Sequence, residues 1–385
     1  MTTALHHDYA SSEFLRARAR RRVPRFAFEY LDGGCFSEVN LARNTAELRE
    51  VMLRPRYVVD HPGSSLATEL FGHTYDAPFG VAPVGLQGLI WPGACESLAQ
   101  AAHTNNVPFI LSTVGTASIE TVAELTEGRA WFQLYHPAED DLRDKLLERA
   151  RAAGLSVLVV LADTPTFAYR PKEIRNGLCL PPRMSARNVF QMLAHPTWSL
   201  GQLRAGPPGF ATIKPYLGKG HGLRHMSEFM DHHFSGRLSP QRLASLRELW
   251  PGKLVVKGIV TPEDAETALG LGADGLIVSN HGGRNLDAGE STIRPLTRLA
   301  DEYAGRTTLM FDSGLRSGAD IACALASGAH FTFLGRTFMY GAAALGRRGG
   351  AHTMAMLKKQ LTQVLEQLAC ACPGDLPAHL VRKHR

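Results

Sequence analysis

Residues 279–287 read Ser-Asn-His-Gly-Gly-Arg-Asn-Leu-Asp, and three residue types in this run could do chemistry together. His281 is a base that titrates near neutrality. Gly282 and Gly283 form a turn without Cβ bulk, where a ligand can come close. Arg284 is a guanidinium able to grip a carboxylate through two parallel hydrogen bonds. That set suits proton transfer beside a bound carboxylate; taken alone, the run also fits a surface turn. Further polar residues finish other apolar runs: Ser112-Thr113, Gln133 with Tyr135, Asp163, Lys257, Asp312 through Arg316, and Gly335-Arg336.

What must position these residues is legible from the runs themselves. From Phe79 onward, short segments rich in Val, Ile, Leu and Phe alternate with stretches of helical periodicity, the pattern of repeated βα units with buried parallel strands. Eight such runs occur: Phe79–Pro83, Phe109–Ser112, Trp131–Tyr135, Val157–Asp163, Leu254–Gly258, Gly275–Asn280, Thr308–Asp312 and Phe331–Gly335. Eight strands close a (β/α)8 TIM barrel, whose functional groups gather at the carboxyl ends of the strands. An open doubly wound sheet would instead place a G-x-G-x-x-G turn after its first strand, whereas this strand runs into Ala82-Pro83-Val84-Gly85. The chain therefore reads as one domain over residues 1–385. Its first 72 residues read as a helical cap, with Pro24 at a helix start and Gly33-Gly34 at a stop. Residues 171–253, after strand four of the barrel, are far too long for an ordinary βα loop and read as an insertion or lid.

Composition narrows the function classes. With 385 residues, 44% hydrophobic and 20% charged, the chain can build one large core. A net charge of +6 suits anionic ligands without choosing among them. The basic run Arg18 to Arg22 lacks the aromatic interleaving of a nucleic-acid site and reads as a solvated first helix. Cys35, Cys95, Cys179, Cys323, Cys370 and Cys372 lack metal-site or redox spacing, so no metal centre is expected and reduced thiols in a cytoplasmic protein fit. No apolar leader or bilayer-length segment is apparent. The insertion carries Pro181-Pro182, Pro207-Pro208-Gly209, Arg183, Arg187, Arg204 and the apolar residues Val189, Phe190, Met192, Leu193, Trp198 and Leu200. Such a segment fits a lid packed on its own barrel or a surface meeting a membrane or partner.

The run Ser279–Asp287 resembles the signature of the FMN-dependent L-2-hydroxy-acid oxidising family, which includes glycolate oxidase, bacterial L-lactate dehydrogenase and mandelate dehydrogenase. The likeness extends over Phe28–Gly34, Trp131–Tyr135, Asp163-Thr164-Pro165, Val256-Lys257-Gly258, Asp312-Ser313-Gly314 and Gly335-Arg336, nearly the whole chain. It implies a bound FMN and the oxidation of a small L-2-hydroxy acid to the 2-oxo acid. His281 would be the base and Asp163 its orienting carboxylate, which would raise the imidazole pKa toward the working range. Arg170 and Arg284 would clamp the substrate carboxylate, Tyr30 would add a hydrogen bond, and Tyr135 would lie near the reacting oxygen. Lys257 would sit beside the flavin where charge accumulates on reduction. Ser112 and Gln133 would hydrogen-bond the flavin ring, with Pro83 beside the cofactor. Asp312 would hold the ribityl chain, and Gly314, Arg316, Gly335 and Arg336 would make the phosphate end.

One position departs from the pattern: Leu161 stands where the family usually has Thr, which bears on flavin tuning. Gly85-Leu86-Gln87-Gly88 and Trp91-Pro92-Gly93 resemble mandelate dehydrogenase, and His195–Trp198 with Tyr216–Lys219 resemble L-lactate dehydrogenase. Val114, where glycolate oxidases tend to carry Trp, leaves room for a larger substituent. These likenesses imply a quinone or other acceptor rather than oxygen, peripheral membrane contact through residues 178–237 on the cytoplasmic face, and a homotetramer. An oxygen-using oxidase and a barrel that binds FMN without turnover are the competing expectations.

Overall fold

Strands buried on both faces read as continuous apolar runs, and each of the eight runs forms one. A computed structural model of the chain describes residues 3–166, 168–178, 183–217, 229, 233, 234, 237–303 and 305–381. The barrel strands are β3 (Phe79–Val81), β4 (Ile110–Ser112), β5 (Trp131–Leu134), β6 (Val157–Leu161), β7 (Lys253–Ile259), β8 (Gly275–Val278), β9 (Thr308–Phe311) and β10 (Phe331–Leu334), preceded in the chain by β1 and β2 described below. They pair in parallel in the order β3-β10-β9-β8-β7-β6-β5-β4. A parallel bridge between Val81 and Phe109, with Val81 N donating to Pro108 O at 2.9 Å, joins the two ends into a barrel. Most strands stop one or two residues before the apolar run does, because the runs continue into turns that carry polar groups.

The interior of the barrel is filled, not hollow. Ile110, Trp131, Val157, Val159, Val255, Ile277, Met310, Phe331 and Phe333 form a buried cluster inside it. The reading of residues 1–72 as helices holds for α1 (Thr3–Asp8), α2 (Ser12–Arg22), α3 (Arg25–Asp32) and α4 (Val39–Leu48), then fails. After Leu48 the chain extends and forms a hairpin of β1 (Thr68–Leu70) and β2 (His73–Tyr75). Phe71 and Gly72 turn it with φ of +52° and +80°, both positive as a tight two-residue hairpin requires. The hairpin plugs the amino-terminal end of the barrel, with the Phe71 ring 5.7 Å from Trp131 and Tyr75 5.8 Å from Phe331. Three-residue strands are too short to show alternation, which is why this element escaped the sequence pattern.

The punctuation of the cap is as expected at Pro24, which precedes α3, and at Gly33, which ends it. In the basic run of α2, Arg18, Arg20 and Arg21 are exposed, as expected of a solvated helix, but two of its arginines also have partners. Arg18 Nε donates to Ala344 O at 3.0 Å, and Arg22 donates to Ala343 O and Ala344 O, the last turn of helix Arg336–Leu345. Two of these arginines thus satisfy helix-end carbonyls and complement the dipole there. The five described cysteines are free.

Residues 171–253 contain helices Pro171–Arg175, Ala186–Leu193, Pro196–Ala205 and Pro240–Leu249. Trp198 is buried and its indole donates to Leu89 O and Ile90 O at 3.1 and 3.2 Å, anchoring the segment to the barrel. Its other side leaves Val189, Phe190, Leu193, Leu200 and Leu203 exposed. Cys179, Pro181-Pro182 and Gly218-Lys219 lie outside the described residues. Among the described residues no helix is long and apolar enough to cross a membrane.

Candidate active site

The loop after β8 is a tightly constrained stretch of backbone. His281, Gly282 and Gly283 all have positive φ, at +57°, +68° and +72°. A Cβ at Gly282 would stand 2.5 Å from Arg336 Nη1, and one at Gly283 2.5 Å from Leu41 N, so only glycine fits either place. The histidine has no such freedom, and its left-handed backbone costs on the order of 1–3 kcal/mol. Side chains hold it there: Ser279 Oγ accepts from His281 N at 3.1 Å, Ser313 Oγ from Gly282 N at 3.0 Å, and Asn280 Oδ1 from Gly283 N at 3.1 Å. Asn280 is itself fixed by Asn44, which donates to it at 2.8 Å and accepts from it at 2.7 Å. Asp287 accepts from the backbone of Ser37 and Asn40, both at 3.0 Å, and so caps the amino end of α4 from the far side of the sequence. The signature run therefore ties the cap to the barrel as well as presenting a base.

The imidazole is paired where the sequence placed its partner. His281 Nδ1 lies 3.0 Å from Asp163 Oδ1, at the end of β6. Asp163 Oδ2 is 3.5 Å from Lys257 Nζ, which also reaches Asp312 Oδ2 at 3.2 Å and donates to Ser279 Oγ at 2.7 Å. Burial alone would raise the Asp163 pKa, but Lys257 and His281 outweigh it and hold the carboxyl well below the usual carboxylate range. Burial lowers Lys257, and its two carboxylate partners more than restore it. Asp163 raises the His281 pKa as expected, but the net shift runs the other way. Burial lowers the imidazole, Asp163 raises it, and Lys257 and Arg170 lower it further, leaving a net value below 6.5. The imidazole is therefore neutral at neutral pH, the form able to accept a proton.

Across the cavity stand the two arginines. Arg284 donates to Tyr30 O and Gly33 O at 2.8 and 2.9 Å and to Glu173 Oε1 at 2.7 Å, and its guanidinium lies 5.2 Å from the centre of the Tyr30 ring. Arg170, immediately before helix Pro171–Arg175, donates to Arg284 O at 3.2 Å, to Glu173 at 3.4 Å and to Asn285 Oδ1 at 3.4 Å. Glu173 and Asn285 were not singled out from the sequence. Asn285 also donates to Asp163 O at 2.6 Å, so it links Arg170 to the strand end that carries Asp163. An acid three residues after Arg170, with a proline between, was the available signal for Glu173.

One cavity is lined by Tyr30, Pro83, Tyr135, Arg170, Lys257, His281, Arg284, Asp312, Gly314, Arg316, Gly335 and Arg336. Asp163, Ser112 and Gln133 stand behind this lining. Ser112 Oγ donates to Gln133 Oε1 at 2.7 Å, while the buried Gln133 amide nitrogen has no hydrogen-bond partner. A buried donor without an acceptor is costly, and an acceptor on a flat polar ring lying over the strand ends would satisfy it. At the other side, Arg336 donates to Leu31 O, Gly282 O and Gly33 O at 2.9, 2.9 and 2.8 Å, which leaves part of its donor set for a ligand. Burial, then Arg284 and Arg316, push the Arg336 guanidinium down to about 9. A half-buried group of cations this short of negative charge fits a phosphate, and the ends of the last two barrel strands are where such barrels bind one. Leu161 is buried at the end of β6 and offers no hydrogen bond.

The sequence pattern of the FMN-dependent dehydrogenases matches residues 19–383. The chain belongs to that family. Its cofactor is FMN, and the residues at the barrel mouth fit the group at both its ring and its phosphate end. An L-lactate dehydrogenase of Acinetobacter baumannii is 39% identical over 370 residues, 96% of this chain and 96% of that one. A crystal structure of the monotopic membrane protein (S)-mandelate dehydrogenase superposes with a TM-score of 0.93 at 33% identity, covering 98% of this chain and 100% of the other. A mandelate oxidase superposes with a TM-score of 0.83 at 28% identity over 97% of this chain and 98% of that one. This flavoenzyme is thus an oxidoreductase acting on 2-hydroxy acids.

Proposed function

We propose that the protein oxidises an L-2-hydroxy acid with an apolar side chain, of lactate or mandelate type, to the 2-oxo acid, with His281 as the base. The contact between His281 Nδ1 and Asp163 Oδ1, opposite two half-buried arginines, carries this reading. FMN supplies the two-electron acceptor. The Asp163 contact commits Nδ1 as donor and leaves Nε2 as the nitrogen that receives the substrate proton. Asp163, held ionised, stabilises the imidazolium that results. Arg170 and Arg284 orient the substrate carboxylate, and Tyr135, its hydroxyl pushed up to about 12 by burial and then by Asp163, stays protonated as a donor to the substrate oxygen. Val84, Gly85 and Val114 face the same cavity and make its apolar wall. A Cβ at Gly85 would stand 2.8 Å from Val114 Cγ2, so the space beside that wall depends on the glycine. Anaerobic mixing of the yellow protein with L-lactate, L-mandelate and glycolate tests this: one acid bleaches the flavin band quickly, and no bleaching by any would refute it.

The electron acceptor in this proposal is a membrane quinone. Support comes from the outer side of residues 186–205, where Phe190, Leu193 and Leu203 are 72%, 72% and 79% exposed beside Arg187 and Arg204. An apolar face edged with basic residues suits the interface of an anionic bilayer. Replacing Phe190 and Leu203 with Glu should abolish sedimentation with anionic vesicles and leave flavin bleaching intact. Rapid oxygen consumption by the substrate-reduced protein would favour an oxidase instead.

A further inference from the structure

The carboxylate clamp contains a carboxylate of its own. Glu173 is 9% exposed and lies between the two arginines: Oε1 accepts from Arg284 Nη2 at 2.7 Å, and Oε2 from Arg170 Nη1 at 3.4 Å. Its place is fixed locally. Arg170 and Glu173 stand at the start and in the first turn of helix Pro171–Arg175, with Ile174 N donating to Arg170 O at 3.0 Å and Leu178 N to Glu173 O at 2.9 Å. The other acids near the clamp are engaged elsewhere: Asp163 with His281 and Lys257, Glu38 with Lys172, and Glu29 with Arg25 and Asn176.

We propose that Glu173 sets the charge of the clamp and thereby selects 2-hydroxy acids that carry one carboxylate and an uncharged side chain. The inference rests on the 2-hydroxy-acid reading above and sharpens it. Two guanidiniums and one carboxylate leave one net positive charge, which a monocarboxylate neutralises. A second carboxylate on the substrate finds no matching cation on the wall of Val84, Gly85 and Val114, and a buried charge without a partner is strongly disfavoured. Glu173 does not touch the reacting atoms; it is a positioning and charge-setting residue.

The test is calorimetric titration of the FMN-loaded protein with pyruvate, a monoanion, and oxaloacetate, its analogue with a second carboxylate on the side chain, so that it reads binding without turnover. Glu173→Gln keeps size and an acceptor oxygen but removes the charge. It should shift the ratio of the two dissociation constants toward oxaloacetate by about tenfold, whereas Glu173→Asp should leave the ratio within about twofold. An unchanged ratio in the Gln variant, with both anions weakened alike, would overturn the proposal and leave Glu173 a purely structural strut. If the Gln variant does not fold, the native protein decides. L-malate should be oxidised at least about tenfold less efficiently than a monocarboxylate of equal size, and parity between them would sink the idea. Failure of the underlying reading looks different, because then no 2-hydroxy acid of either charge bleaches the flavin.

Discussion

The two ends of the barrel are built on opposite terms. At the amino end, the hairpin β1–β2 seals a stack of Phe71, Tyr75, Trp131, Phe331 and Phe333, aromatic rings without a charge among them, in edge-on or tilted contacts. At the carboxyl end, Asp163, Lys257, Asp312 and His281 share one buried cluster, a histidine sits at φ +57°, and Ser313 at +81°. The first end stabilises without chemistry. The second spends stability on desolvated charge and backbone strain to hold groups ready. Because both ends ride on the same eight strands, stability and activity should separate on substitution.

The largest separation is expected at the base. His281→Gln should lower kcat by about a thousandfold, the scale of a lost general base, while the flavin stays bound and thermal stability holds. A comparable loss of kcat/KM for the 2-hydroxy acid without loss of the yellow colour is the measurement. At the other end, Trp131→Ala removes a side chain that is 2% exposed and should cost about 3–5 kcal/mol in denaturant titration, with kcat unchanged within about threefold. Equal damage to both quantities in either variant would erase the contrast. Asn280 should break it by design, because its amide joins Asn44 of the cap to Gly283 of the catalytic loop. Asn280→Ala should cost about 2 kcal/mol from the polar groups it strands and lower activity as well.

The same contrast explains what could be read from the sequence. Strand positions were legible because burial on both faces writes an apolar run, and the barrel followed from counting eight of them. The candidate chemistry was legible because strand-end residues converge in this fold, which brought His281, Lys257, Asp312 and Arg336 to one cavity from runs up to 79 positions apart. Residues that act across the sequence were not. Asp287 meets Ser37 across 250 positions and Asn280 meets Asn44 across 236, and nothing local in either residue announces the partner. The hairpin was too short to have a period. The upward pull of Asp163 on the His281 pKa was legible, but the net direction was not, because burial, Lys257 and Arg170 act through space and together outweigh that pull.

That net direction yields the finest prediction. In the free enzyme kcat/KM should fall on the acid side only below pH 6.5, since the neutral imidazole persists until its lowered pKa is passed. The neighbours move this limb in opposite directions. Asp163 raises the His281 pKa, so Asp163→Asn should move the limb to still lower pH, with a smaller maximal rate because the imidazolium loses its partner. Lys257 lowers it, so Lys257→Met should move the limb up toward neutrality. Stability carries the same sign: a histidine whose folded pKa lies below its unfolded value contributes stability above 6.5, and that contribution is lost as pH falls toward the folded value. Asp163, also depressed, loses its contribution only below 3.8. Acid should therefore weaken the carboxyl end of the barrel in two steps, while Trp131→Ala, whose titrating neighbour Tyr75 stays protonated throughout the acid range, should lower the stability curve without moving either step. A limb that stays in place in both the Asp163 and Lys257 variants would mean that the titrating base is not the imidazole of His281.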